Sequence, residues 1–299
     1  EGLRSIGRTM GLRPETIGNR IMRLGRQAVA IQAAARKELV CCEDLAADGL
    51  VSFTHSQYFP AQFHVLAGKK SKYCHSIDYA VTRRSGTMTE GQKKRAEELY
   101  ASCTFPQGSI DASFRRIYHL ALGLAIKDEK EKLLDTDEHK QYPLAMDAVR
   151  QTWEAEGKPV RLAHRTTSSK ALRNGRNPLA AVNYLDREIR KDCANHTRET
   201  VQWSKEANNA MLRMYLYMCT HNYLKPWKIK DRKDIRSHGE VAGLPPDFCD
   251  SVRGKLFGTR QFFSRVKTGL SDSETMTWCN KWPNPHSGTS LRVWPYMLA

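Results

Sequence analysis

Apolar residues recur at helical spacing at the start of the chain. Leu3, Ile6 and Met10 form one run, Gly11 breaks it, and Pro14 or Glu15 opens a second that carries Ile17, Ile21 and Leu24. Two short helices joined by a glycine-containing turn make a helix-turn-helix. Residues 27–37 are alanine-rich and continue as a connecting helix. The period then changes. LAADGLVSF over 45–53, residues 59–66 and residues 72–81 read as three strands with short connections, which favours antiparallel pairing. Helices are expected over 90–102 and over 110–126, where Phe114, Ile117, Ala121 and Leu124 share one face. A short strand at Leu133 and Leu134 follows, then a helix over 142–156, a strand near 160–163, a helix from about 177 and an amphipathic one over 211–223. From Lys228 the periodicity breaks into short helical pieces around 248–256 and 259–266, with Trp278, Trp282, Trp294 and Tyr296 placed to anchor them. A strand meander followed by alternating helices and strands implies an α/β protein, a mixed five-stranded sheet flanked by helices. The expected divisions are residues 1–36, residues 37–228 with a helical insertion near 83–107, and a C-terminal extension over 229–299.

Composition narrows the partners. The 299 residues carry 48 Lys and Arg against 32 Asp and Glu, a net charge of +16 that points to a polyanion, nucleic acid before a membrane surface. No apolar run approaches the roughly 20 residues that cross a bilayer, and no signal segment opens the chain, so a cytoplasmic, nucleoid-associated protein is expected. Eight cysteines are scattered without a C-x-x-C pair, which argues against a zinc module in this stretch. The chain opens at Glu1 inside a helical pattern, so a preceding segment is expected.

Basic residues concentrate where nucleic acid would be read. The second helix of the helix-turn-helix exposes Thr16, Asn19, Arg20 and Arg23, types that reach base edges and phosphates in a major groove. A helical hairpin without DNA is the alternative. Residues 164–177 form a basic loop with Arg165, Lys170, Arg173 and Arg176, either a solvated surface or a segment that tracks phosphates.

The acids suggest chemistry. In KLLDTDEHKQY an extended run ends on Asp137 just before a helix, where side chains leave the packed sheet for a crevice; capping that helix is the competing role. Asp48 sits at the centre of the first strand. In NPLAAVNYLDREIRKDCANHTRETVQW, Asn183, Asp186 and Arg190 share a stripe, Glu188 is rotated well away from Asp186, and Glu199 lies about three turns from the helix start. Magnesium prefers hard oxygen ligands, and three carboxylates from separate elements can hold the pair of ions that two-metal phosphoryl transfer uses.

The succession helix-turn-helix, ADGLVSF, LLDTDEHKQY, VNYLDREIRKDCANHTRETVQWSK and HNYLKP resembles bacterial insertion-sequence transposases of the DDE class, over residues 2–227. The resemblance implies a ribonuclease H-like catalytic domain, two Mg²⁺ or Mn²⁺ ions, and hydrolysis at an element end followed by attack of the 3′-hydroxyl on target DNA. Asp48 and Asp137 match the first and second metal-binding aspartates, with Asp135 a weaker candidate for the second. The relatives' third acid, a Glu, falls on Asn183 here; Asp186, one turn later, is the expected replacement and Glu188 the other candidate. The resemblance also implies that Arg190, Lys191 and Arg198 bind phosphates alongside the basic loop. It further implies a double-stranded DNA partner and a homodimer or larger synaptic complex, and it allows a cysteine zinc module upstream. Two alternatives stay open, a decayed DNA-binding regulator and a structure-selective nuclease of the same fold.

Overall fold

A strand buried on both faces must be apolar on both, and the centre of the sheet is built that way. Strand β1 (Leu45–Phe53) sends Leu45 and Ala47 to one side and Ala46 and Leu50 to the other, all of them buried. The computed structural model describes residues 2–168, 170–197 and 202–286. In it β1 pairs antiparallel with β2 (Pro60–Gly68), and β2 pairs antiparallel with β3 (Cys74–Val81). On its other edge β1 pairs parallel with β4 (Lys132–Thr136), which pairs parallel with β5 (Leu162–Thr166). The mixed sheet therefore runs β3-β2-β1-β4-β5, with the expected meander on one half and two crossover strands on the other.

Helices α1 (Leu3–Met10) and α2 (Pro14–Glu38) open the chain. Next come α3 (Glu90–Tyr100) and α4 (Ser109–Ala125) between β3 and β4, α5 (Gln141–Ala155) between β4 and β5, then α6 (Ala180–Asp192) and α7 (Ala207–Cys219). The chain closes through α8 (His238–Ala242), α9 (Pro246–Gly258), α10 (Phe263–Val266) and α11 (Asp272–Trp278). Two cores result, one on each face of the sheet. Phe114, Ile117 and Ala121 of α4 and Tyr142, Met146 and Trp153 of α5 pack with Leu45, Ala47 and Leu134. On the opposite face α2, α6, α7, α9 and α11 cover Ala46, Leu50, Phe63 and Ile77.

Several boundaries differ from the sequence reading, each for a physical reason. The turn after α1 is as expected: Gly11 adopts φ 63°, the left-handed conformation that ends a helix, and Leu12 donates its N–H to Gly7 O at 2.8 Å. The second helix also runs on through the connecting segment, as expected, without a break between them. Nothing in the alanine-rich segment breaks it, so it continues to Glu38. Ala28, Val29, Ala30, Ile31 and Ala35 are buried in the core, so the first 36 residues are continuous with the body. Gly25 permits this docking: a Cβ there would stand 2.8 Å from Leu212 Cβ on α7. The helix from 177 is shorter than expected and ends at Cys193, where the backbone turns to φ −110°, ψ 100°. Residues 198–201, with Arg198 and Glu199, lie outside the described residues, as do Trp294 and Tyr296.

The C-terminal stretch packs on the body. Glu274 takes a two-pronged bond from Arg36, with Nη1 to Oε1 at 2.6 Å, and buried Asp78 takes another from Arg116 with both contacts at 2.8 Å while Ser273 bonds the same carboxylate. Trp278 and Trp282 are buried, as their anchoring role requires. Among the described residues no helix is long and apolar enough to cross a membrane.

Candidate functional site

The sheet itself brings two of the expected acids together. Ala46 of β1 lies opposite Asp135 of β4 in parallel register; Asp48 follows two residues on in β1, and Asp137 lies just past the end of β4, close enough for its charge to act on Asp48. Residue parity places Asp48 on the face of Ala46 and Leu50, the face that α6 covers. This is the carboxyl end of the parallel strands, where the chain leaves β4 at Thr136.

Asp137 is not the cap of the helix that follows. The residue in that position is Lys140, without a side-chain cap bond, and Asp137 Oδ1 instead accepts the His139 N–H at 3.1 Å in a tight local turn. Asp48 accepts the N–H of Gly49 at 2.7 Å. Burial pushes the Asp48 carboxyl up to about 6, and the negative charges of Asp137 and Asp186 push in the same direction against the Gly49 N–H and Arg173. A buried carboxyl raised further by neighbouring like charges marks a candidate functional group.

Asp186 approaches from α6. Its carboxylate takes Arg190 Nε at 2.7 Å, and the same guanidinium donates to Val51 O at 2.9 Å and His196 O at 3.1 Å. Arg190 thus ties α6 to the end of β1, which corrects its expected role as a phosphate contact. Asn183 and Asp186 line one cleft of about 640 Å³ with Lys69, Lys72, Arg173 and Arg187. Asp186 and Arg173 link the two neighbourhoods, since both line this cleft and both act on the charge of Asp48.

Glu188 lies elsewhere. It is buried and surrounded by Lys191 at 3.5 Å, Lys225 at 3.6 Å and Arg187 at 3.8 Å, so the structure does not bring it to Asp48 and Asp137, and Lys191 has an acid of its own. Asp135 is also excluded from the acidic group. It is fully buried, held by Lys69 and by Arg165 at 2.6 and 3.1 Å. Arg165, expected as a phosphate contact, is exposed and pairs with Asp135 across β4 and β5. Of the remaining loop cations, Arg173 reaches the cleft, while Lys170 and Arg176 are exposed. On α2, Asn19, Arg20 and Arg23 are exposed and Thr16 is half-buried, on the first three turns of the helix.

Tyr142, read from the sequence only as the start of a helix, belongs both to the core and to the site. Its ring is buried, stacked on Phe114 at 3.8 Å between centroids and 10° between planes, with His139 on it at 4.8 Å. Its hydroxyl approaches within van der Waals contact of where a side chain on Gly49 would begin, 3.4 Å, and the charges of Asp137 and Asp48 help burial to push its pKa up. Lys69 and Lys72 were likewise missed, visible in the sequence only as a turn. Their place at the cleft depends on how far the β2–β3 hairpin reaches.

Among the described residues no group of three or more His, Cys, Asp and Glu side chains is arranged to hold one metal ion. The donors that do meet, Asp48 and Asp137, are of the right kind for magnesium, which commonly uses one or two carboxylates with water and phosphate completing its shell. The third acid is engaged by Arg190. All eight cysteines are free. No protein-family model matches the chain, and no curated protein matches it.

Proposed function

We propose that the protein is a DNA transposase of the DDE class, with a ribonuclease H-like catalytic fold, that binds the ends of an insertion sequence and carries out metal-dependent cleavage and strand transfer. The observation that carries this reading is that Asp48 in β1, Asp137 just past the end of the parallel strand beside it and Asp186 on the covering helix lie close enough for their charges to act on Asp48. The strand order β3-β2-β1-β4-β5 and the net charge of +16 are consistent with it. Asp48 and Asp137 would hold the divalent ions. Such ions supply Lewis-acid activation of water and neutralisation of phosphoryl charge.

The chain's own residues do the rest. Arg173, Lys72 and Arg187 line the cleft and attract a phosphate backbone, and Arg190 fixes the angle of α6. The Tyr142 ring, wedged between Phe114 and His139, backs the Asp137 turn and keeps water from the sheet beneath it. Exposed Asn19, Arg20 and Arg23 on α2 would read the terminal repeat, and a dimer or larger synapse would join two ends.

A second reading has one observation behind it. The Asp186–Arg190 pair takes the third acid out of play, as in a decayed copy that occupies DNA without cutting it. The test is cleavage and joining of a labelled DNA bearing the ends of the element that encodes the chain, with Mg²⁺ or Mn²⁺. Metal-dependent joining that disappears in Asp48→Ala and Asp137→Ala, with end binding retained, supports the transposase. Binding without cleavage by the wild type supports the decayed copy, and cleavage without joining supports a nuclease.

A further inference from the structure

A second cavity, of about 670 Å³, opens where α1 and the start of α2 meet the segment leading into α7. Every ionisable group on its described wall is a cation: Arg4, Arg8, Lys205 and Arg213. Its volume falls within the range of small-ligand sites, roughly 300 to 1,000 Å³. The rest of the wall combines apolar side chains, neutral polar ones such as Asn195 and Asn209, and Trp203, whose ring meets Phe53 edge-on at 6.3 Å.

Arg213 is the informative residue. It is half-buried on α7, yet no described residue offers it an ion pair or hydrogen bond, and burial pushes its pKa below the ordinary value. Arg36 and Arg116, also partly buried, each have a carboxylate partner, Glu274 and Asp78. A guanidinium withdrawn from water without a counter-ion is unfavourable, and an anion entering the cavity removes that cost. An aromatic ring beside a cationic group is the combination that holds a nucleotide, base on the ring and phosphate on the guanidinium.

We infer that this cavity is a single-nucleotide subsite, with the phosphate on Arg213 and the base against Trp203. It is separate from the acidic group, since neither Asp48, Asp137 nor Asp186 lines it. The choice of a nucleotide over other phosphate-bearing ligands rests on the DNA reading proposed above; the anion site does not.

The test uses the full chain labelled with ¹⁵N and three probes: deoxyadenosine monophosphate, inorganic phosphate and deoxyadenosine. The Trp203 indole signal is assigned by its loss in Trp203→Phe. The nucleotide should shift that signal, bind more tightly than either fragment, and weaken about tenfold in Arg213→Gln, the loss expected for one charge-assisted bond. Arg4→Gln with Arg8→Gln, both exposed and harmless to folding, should weaken it several-fold. An unmoved Trp203 signal, equal affinity in these variants, or phosphate binding as tightly as the nucleotide would each overturn the subsite. Asp48→Asn serves as the separating control: it should bind the nucleotide normally while losing cleavage. Normal nucleotide binding by a wild type that never cleaves overturns only the catalytic reading.

Discussion

Replacing Asp48 by Asn should stabilise the protein while abolishing its chemistry. Asn has the same shape and can still accept the Gly49 N–H that Asp48 accepts at 2.7 Å, so packing is preserved and only the charge is lost. Burial, with Asp137 and Asp186 behind it, raises the Asp48 carboxyl from 3.8 to about 6. At about 1.4 kcal/mol per unit, the ionised form destabilises the fold by about 2 to 3 kcal/mol. Because the native value lies above the unfolded one, the native state holds the proton more tightly. The destabilisation is therefore absent below pH 4, grows as pH rises from about 4 to 6, and is complete above pH 6. At about 2 °C per kcal/mol for a chain of this size, Asp48→Asn should melt about 4 to 6 °C above wild type at pH 7.5 and about half as far above it at pH 5. Thermal melts followed by circular dichroism at both pH values measure this. Magnesium at ten times its dissociation constant should then raise the wild-type midpoint by the equivalent of about 1.4 kcal/mol and leave the variant unmoved. A variant that melts at or below wild type at pH 7.5, or a gap that ignores pH, would refute the argument that Asp48 is ionised against like charges.

The other predictions address separate parts of the molecule. Asp137→Asn should reduce cleavage at least 1,000-fold, on the order expected when an electrostatic anchor of the transition state is lost, whereas Glu188→Gln should cleave within a few-fold of wild type and lower the melting temperature, because it leaves Lys191 unmatched and removes one of the two acids beside Lys225. Equal loss in both would place Glu188 in the chemistry. Arg20→Ala and Arg23→Ala should each weaken binding to the element ends, and each should reduce the salt slope of log K by about 1; electrophoretic shifts over a salt series would expose an unchanged slope. Gly25→Ala should destabilise the fold by about 1 to 3 kcal/mol, since its Cβ must push Leu212 and α7 away from α2. A urea midpoint equal to wild type would show that the contact relaxes without cost.

What the sequence determined by itself was local. Period-two runs over 45–53 and 74–81 and the stripe of Phe114, Ile117 and Ala121 identify strands and a helix from side-chain direction alone. Asp48 and Asp137 stood out because each interrupts or ends an apolar run where an acid is otherwise expensive to bury. Local pattern has no means of deciding which charges meet across the fold. Asp135 and Asp137 are two residues apart, yet one is paired with Lys69 and Arg165 and the other lies near Asp48. Arg190 and Lys191 pair within their own helix with Asp186 and Glu188, four and three positions away, whereas the partner of Arg165, Asp135 on the neighbouring strand, comes only from sheet pairing. Nor could a helical pattern that ran unbroken from Pro14 to Glu38 announce that its second half would be core. Those outcomes depend on strand register and helix docking, which bring together residues up to 200 positions apart, and only the folded arrangement specifies them.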